Sequence, residues 1–348
     1  MTLRVALETL QLTLRDPFRI ARSDHDAGHA ITTVIAEVRD DRFPGLVGYG
    51  EGYPDRFYGE TAESIVAVMP TLIAAVSDGW APDPEGLRAA GDAMRAAIRW
   101  NGGAKCALDI GLHDLAGKVT GRPVHELLGL PATMPPTDFT QGLDAPDVVA
   151  ERARRASAFP ALKIKCGGPA DLDTLRAVRG VYDGPIRVDA NTGWTPEVAR
   201  QLLPLLVDLG VELIEQPFPA RRLDWLRDLQ SGSPLPIVAD ESCVEDEDLD
   251  GLVGVVAGVN VKLAKCGGVG PAARMLARAR ALGFRTFLGC MEETSVVIAA
   301  SAAVASLADW VDLDGCLLLA EDPFIGLELG ADHRWRIGGA PGLGVSRR

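Results

Sequence analysis

The stretch PIRVDANTGWTPEVARQLLPLLVDLGVELIEQP, residues 185–217, reads as strand, helix, strand, and each strand run closes on an acid: Asp189 and Glu215. PIVADES, at 236–242, repeats the pattern with Asp240. The three acids lie 26 and 25 residues apart, about one strand–helix unit each. Strands at that period with helical stretches between them predict parallel βα units. In a closed (β/α)8 barrel such strand ends converge on one face, where active sites lie. Three carboxylates gathered there repel one another unless a cation neutralises them, and hard oxygen ligands suit Mg2+ or Mn2+. One acid alone reads more simply as a helix cap; three at consecutive strand ends favour the metal.

Working outward, strands are expected at 137–142 (TDFTQG), 161–167 (ALKIKCG), 185–191, 211–217, 236–242, 258–265 (GVNVKLAK), 285–290 (RTFLGC) and 310–315 (WVDLDG). Eight strands with seven helical stretches between them match a (β/α)8 count, though closure of the sheet is not written in the sequence. Upstream, 2–15 and 31–39 read as paired strands. Loops follow each: 17–30, carrying Arg19, Arg22, Asp24, His25, Asp26 and His29, and 50–60, GEGYPDRFYGE. Helical segments are expected near 61–77, 84–99 and 103–119. In the last, Ala107, Ile110, Leu112, Leu115 and Val119 fall near helical spacing, and Gly121 and Pro123 would stop it. The expected organisation is an α+β domain over 1–125, the barrel over 126–320, and a tail, 321–348, that returns to the first domain.

Composition excludes several function classes. The 348 residues are 47% apolar, enough for a large core, and carry 35 basic against 48 acidic groups, a net charge of −13. Nucleic-acid binding generally needs a basic patch, and no Lys/Arg cluster stands out. The six cysteines, at 106, 166, 243, 266, 290 and 316, form no CxxC pair and read as reduced cytosolic thiols. No apolar run is long enough for a membrane span, and the opening residues alternate like a strand rather than a signal segment. A cytoplasmic enzyme with no membrane or nucleic-acid partner is expected; a homo-oligomer is compatible with the sequence.

The second barrel strand ends Lys163-Ile164-Lys165, whose alternate residues share a face. Two lysines facing a barrel interior are costly unless they do chemistry. The sixth strand ends Val261-Lys262-Leu263, with Lys265 beyond it. Strands two and six of eight stand across the barrel from one another, flanking strands three to five and their acids. A base is thus offered on each side of a metal-bound substrate. A neighbouring like charge and a divalent cation both lower a lysine's pKa, as a base requires, so Lys163 is expected to act on Lys165. A metal bound to a substrate carboxylate would stabilise the enediolate left when an α-proton departs.

ALKIKCG, VDAN, EQP, ADES, VNVKLAKCGG and the helical stretch ALDIGLHDLAGKVTGRPVHELLG together resemble the muconate-lactonizing subgroup of the enolase superfamily, over nearly the whole chain. The resemblance implies a (β/α)8-type barrel under an N-terminal α+β capping domain. It also implies Mg2+ held by Asp189, Glu215 and Asp240, Lys165 and Lys262 as paired acid/base lysines, and Lys163 as an auxiliary lysine. Asp312-Leu313-Asp314 is similar to the DxD motif of dipeptide epimerases, in which alternate carboxylates present themselves to one ammonium group. Thr140 and the run Cys290, Met291 and Glu292 would be substrate neighbours. Ser23, Asp24 and His25 stand where such enzymes often place an arginine for a distal carboxylate, which makes His25 the expected substitute.

The implied activity is a dipeptide epimerase inverting the α-carbon of the C-terminal residue of an L-Ala-X-type dipeptide. The alternatives are an N-acylamino acid racemase, an o-succinylbenzoate synthase-like lyase or a cycloisomerase with the same metal and lysines, and a non-catalytic binding protein on the same fold. Simpler roles are expected elsewhere. His113 reads as a satisfied core histidine, and Cys243 lacks a histidine partner. Both KCGG runs, at 165–168 and 265–268, read as tight turns rather than anion nests. Glu292 and Glu293 read equally as substrate neighbours or helix caps.

Overall fold

The computed structural model describes residues 3–22, 29–77 and 79–348. The chain opens with a three-stranded antiparallel sheet, β1 (Leu3–Thr13), β2 (Ala30–Asp40) and β3 (Gly48–Gly52), in that order. Three helices follow: α1 (Ala62–Val76), α2 (Pro84–Ala97) and α3 (Gly102–Thr120). Each of the first two starts on a side-chain cap: Thr61 accepts from Ser64 N–H in a reciprocal capping box, and Asp83 accepts from Gly86 N–H.

β3 runs into the start of the loop expected at 50–60. Its glycines are there because α3 crosses the strand at backbone contact. A β-carbon on Gly50 would stand 1.8 Å from Ala107 O, and one on Gly48 would stand 2.0 Å from Gly111 O. The strand forms because packing overrides the poor strand propensity of glycine. Residues 103–117 of α3 are buried on every face, as expected of a helix between two layers rather than at a surface.

The second unit is an eight-stranded parallel sheet in sequential order: β4 (Phe139–Gln141), β5 (Leu162–Lys165), β6 (Ile186–Asp189), β7 (Val211–Glu215), β8 (Ile237–Ala239), β9 (Gly258–Lys262), β10 (Arg285–Gly289) and β11 (Trp310–Val311). Its ends meet at a parallel bridge, Thr137 with Val311, where Asp138 N–H donates to Val311 O at 3.1 Å. All eight strands anticipated from the sequence are present, each shorter than its pattern because the terminal residues turn out of the sheet to form the loops that carry chemistry.

Residues 321–348 touch both units. Leu343 N–H donates to Asp114 of α3 at 2.8 Å, Arg347 pairs with Glu8 of β1, and Trp335 Nε1 donates to Leu313 O at 2.8 Å. A second tie between units is Asp109 of α3, whose carboxylate accepts from Val269 N–H (2.6 Å) and Gly270 N–H (3.2 Å), the first turn of the helix Val269–Ala281. His113 is the satisfied core residue expected, with Nδ1 2.8 Å from Asp109 O. Among the described residues no helix is long and apolar enough to cross a membrane.

Candidate active site

The C-terminal ends of the barrel strands bring Asp189, Glu215 and Asp240 together, with one oxygen of each within 4.8 Å of the others and all three fully buried. Their aim is set by neighbours. Asn191 N–H donates to Asp189 Oδ1 (3.0 Å), and Asn260 Nδ2 donates to Glu215 Oε1 (2.8 Å). Gln216 uses all of its side chain to place Asp240: Oε1 accepts from the N–H groups of Asp240 (2.9 Å) and Ser242 (3.1 Å), and Nε2 donates to Phe218 O and Ser242 Oγ. Asn191 and Gln216 sit at φ 41° and 35°, left-handed conformations that are unfavourable outside glycine and mark strain held at a functional edge.

Four lysines surround the acids, and their partners separate them into two kinds. Lys163 Nζ lies 2.8 Å from Glu215, 2.9 Å from Asp312 and 3.1 Å from Asp189. Lys265 Nζ has four acceptors: Asp240 Oδ1 at 2.5 Å, Asp240 O at 2.8 Å, and Cys243 O and Asn260 O at 2.9 Å. An ammonium has three protons, so Lys265 has none to spare, while the charge of Lys163 is balanced by three acids at once. Lys165 and Lys262 differ. Among the described residues each has one carboxylate, Asp189 at 2.7 Å and Asp240 at 2.9 Å, and Lys262 otherwise meets Met291 Sδ at 3.9 Å. These two line the pocket above the acids. They rise from β5 and β9, opposite one another in the eight-strand order.

The charges are interdependent. Burial and the neighbouring Asp189 push Glu215 up to about 8, whereas Asp189, despite its burial, is drawn down to about 2 by Lys165 and Lys163. For Lys163, burial opposes the charge, but Asp312 and Glu215 outweigh it and the ammonium is held well above its ordinary range. The charge of Lys163 is balanced by three acids that it draws together. The triad suits a divalent cation on its donor chemistry. Glu215 Oε2 and Asp240 Oδ2 lie near lysines yet accept no hydrogen bond of proper angle, and a buried carboxylate pushed up to about 8 is one short of positive charge.

Asp312 and Asp314 follow β11 and share Thr140 of β4: its hydroxyl donates to Asp312 Oδ1 (3.0 Å), and its N–H donates to Asp314 Oδ2 (2.6 Å). Burial and the adjacent Asp312 hold Asp314 well above the usual carboxylate range, so Asp314, unlike Asp312 with its Lys163 at 2.9 Å, has no ion pair among the described residues. Both line the pocket, as do Thr140, Cys290, Met291 and Glu292. Tyr53 OH donates to Glu292 (3.0 Å). The pocket is about 490 Å3. The first unit supplies an apolar wall that includes Leu14, Phe18 and Ile31. Arg22 reaches it, held 3.2 Å from Glu241 and 4.3 Å over the Phe57 ring; Arg19 is not part of its lining. His25, with Ser23 and Asp24, lies outside the described residues.

Sequence reasoning missed Asn260, Gln216 and Glu241. Asn260 alone had a usable signal, since it shares the inward face of β9 with Lys262. It also missed Glu51, fully buried in β3, which accepts from Thr33 Oγ1 (2.8 Å) and from the Thr294 N–H (3.1 Å) and hydroxyl (2.5 Å). That cluster ties the first unit to the loop bearing Cys290, Met291 and Glu292. Neither KCGG turn is an anion nest: the N–H groups of Gly167 and Gly168 are taken by Asp171, and those of Gly267 and Gly268 by Leu263 O.

Glu293 gives a test of this loop. Burial, with Glu51 adding to it, pushes its carboxyl up to about 8, and Oε1 has no partner among the described residues. The unfolded value is about 4.3. The folded protein therefore holds a proton the unfolded chain loses, and the stability this contributes is complete below about pH 4 and lost as pH rises through 8. Glu293→Gln, which stays neutral, should gain on the native protein by on the order of a few kcal/mol between pH 5 and 9. Denaturant melts of both proteins at the two pH values measure this; a pH-independent difference contradicts it.

Comparison with known proteins follows the same lines. The family model "Enolase C-terminal domain-like" matches residues 148–347, and "Mandelate racemase / muconate lactonizing enzyme, N-terminal domain" matches 3–129. An L-Ala-D/L-Glu epimerase of Bacteroides thetaiotaomicron is 36% identical over 97% of this chain and 86% of its own length. A hydrophobic dipeptide epimerase of Roseobacter litoralis is 37% identical over 93% of each chain. A crystal structure of a dipeptide epimerase from Enterococcus faecalis, complexed with Mg and L-Leu-L-Tyr, superposes with a TM-score of 0.90 at 32% identity and covers 100% of both chains.

Proposed function

Because the chain belongs to the mandelate racemase/muconate lactonizing enzyme family of the enolase superfamily, we propose that it is a Mg2+-dependent dipeptide epimerase that inverts the α-carbon of the C-terminal residue. The observation that carries this reading is the division among the lysines: only Lys165 and Lys262 combine a spare proton position with a place on the pocket wall, and they do so from opposite sides.

When bound by Asp189, Glu215 and Asp240, a divalent cation supplies the positive charge that lets a substrate carboxylate accept the electron pair left by the α-proton and frees a lysine to be neutral. Lys165 and Lys262 do the proton work. One takes the α-proton, and the other delivers a proton to the opposite face. Lys163 and Lys265 position the acids. Asp312 and Asp314, braced by Thr140, receive the dipeptide's free α-amino group, which gives the buried Asp314 a cation. Cys290, Met291 and Glu292 border the rest of the substrate.

The substrate class is tested by comparing L-Ala-L-Glu, L-Ala-L-Phe, L-Ala-L-Leu and N-succinyl-L-Phe, the last having no free amine. Every productive dipeptide should exceed the N-succinyl compound in kcat/KM. Asp314→Asn should lower kcat/KM for dipeptides by roughly ten- to a hundredfold, the equivalent of about 1.5–3 kcal/mol for a buried charged hydrogen bond, with Mg2+ binding unchanged. Faster turnover of the N-succinyl compound than of every dipeptide moves the chain to the racemase and lyase branch of the family.

A further inference from the structure

A second cleft, of about 510 Å3, shares no lining residue with the first and lies where α2 and α3 meet the segments that follow β8 and β9. Its walls include Met94 of α2, Lys105 of α3, Glu245, Gly267, and Arg274 and Met275 of the helix Val269–Ala281. Lys105 is the unusual member. It is 7% exposed, yet among the described residues its ammonium has neither a hydrogen bond nor an ion pair. Its stem is fixed against the turn at Gly267, where a β-carbon would stand 3.2 Å from Lys105 Cβ and 3.5 Å from Cδ. The arginines around it are already engaged: Arg95 with Glu247, Arg278 with Asp246 (2.9 Å) and Asp250 (2.6 Å), and Arg274 loosely with Asp92 (3.9 Å). Burying a cation without a partner is unfavourable, and an anion in the cleft relieves it. Burial lowers the pKa of Lys105, with Glu245 pulling the other way.

We propose that this cleft is a binding site for a small monocarboxylate with an apolar tail, its carboxylate on Lys105 and its tail along Cys266 and Pro271, the partly exposed apolar part of the lining. The acids on the rim, Glu245, Asp246 and Glu247, disfavour a second negative charge, so a dianion such as phosphate fits less well. The protein's net charge of −13 opposes non-specific anion binding, so saturable uptake of a carboxylate needs a specific cation. The site is independent of the substrate assigned to the barrel mouth.

Titration calorimetry at constant ionic strength with acetate, butyrate, hexanoate and inorganic phosphate tests this on the full chain. Hexanoate should bind tightest, each added methylene improving affinity by up to about fourfold, and phosphate should bind weakest. Lys105→Met should weaken hexanoate binding at least tenfold, and Glu245→Gln should tighten it a few-fold by removing a competing carboxylate. Should Lys105→Met fail to fold, Glu245→Gln still decides. The proposal is overturned if no probe saturates, if Lys105→Met binds hexanoate like the native protein, if Glu245→Gln weakens binding, or if phosphate binds more tightly than hexanoate.

Discussion

Replacing either Lys165 or Lys262 by alanine is expected to stop interconversion of the two epimers, with a loss of about 10²–10⁴-fold for a single acid/base group. The two variants should fail differently. On the proposed assignment each lysine serves one side of the pocket and one epimer only, so each variant should retain solvent exchange for the epimer served by its intact partner. A structural role for either lysine predicts loss of both exchange reactions together. Near-native interconversion in both variants contradicts the assignment. Lys265 supplies the control, since its four acceptors leave no proton for chemistry. Lys265→Met should lower stability and Mg2+ affinity by disturbing Asp240, with any loss in turnover recovered as Mg2+ is raised.

Asp189→Asn is expected to cost about 10³-fold or more in turnover, equivalent to the several kcal/mol of charge stabilisation that a catalytic cation supplies. The variant keeps the side chain's shape, while removing the charge that faces Lys163 and Lys165 at 3.1 and 2.7 Å. Calorimetry should show weakened Mg2+ binding, and chelation of the native enzyme should abolish activity until Mg2+ is restored. Full activity after exhaustive chelation, or unaltered metal affinity in Asp189→Asn, contradicts the metal assignment.

The barrel was legible because its strands are short apolar runs closing on charged residues at a regular period. The acids and lysines were legible for the same reason: a charge ending a buried strand has few structural explanations. β3 was not, because three alternating glycines look like a loop until the helix lying on them is known. The supporting polar residues were also hidden. Gln216 and Glu51 act through partners 24 and 243 residues away, Asp240 and Thr294, and nothing local marks such pairings. The division of labour among the lysines was only half visible. Spacing placed Lys163 and Lys165 on one face, but it took the positions of Asp312, Glu215 and Asp189 to show which one is balanced by three acids.

The central claim is two-sided proton transfer at the α-carbon of a dipeptide's C-terminal residue. A library of L-Ala-L-Xaa dipeptides incubated with the native enzyme and Mg2+ in D2O, followed by mass spectrometry and chiral separation, measures it directly. The predicted result is an L-D epimer carrying one solvent deuterium at the C-terminal α-carbon and none at the N-terminal residue. Inversion without deuterium incorporation, label at the N-terminal α-carbon, or no exchange in any dipeptide while an N-acylated amino acid exchanges would contradict it.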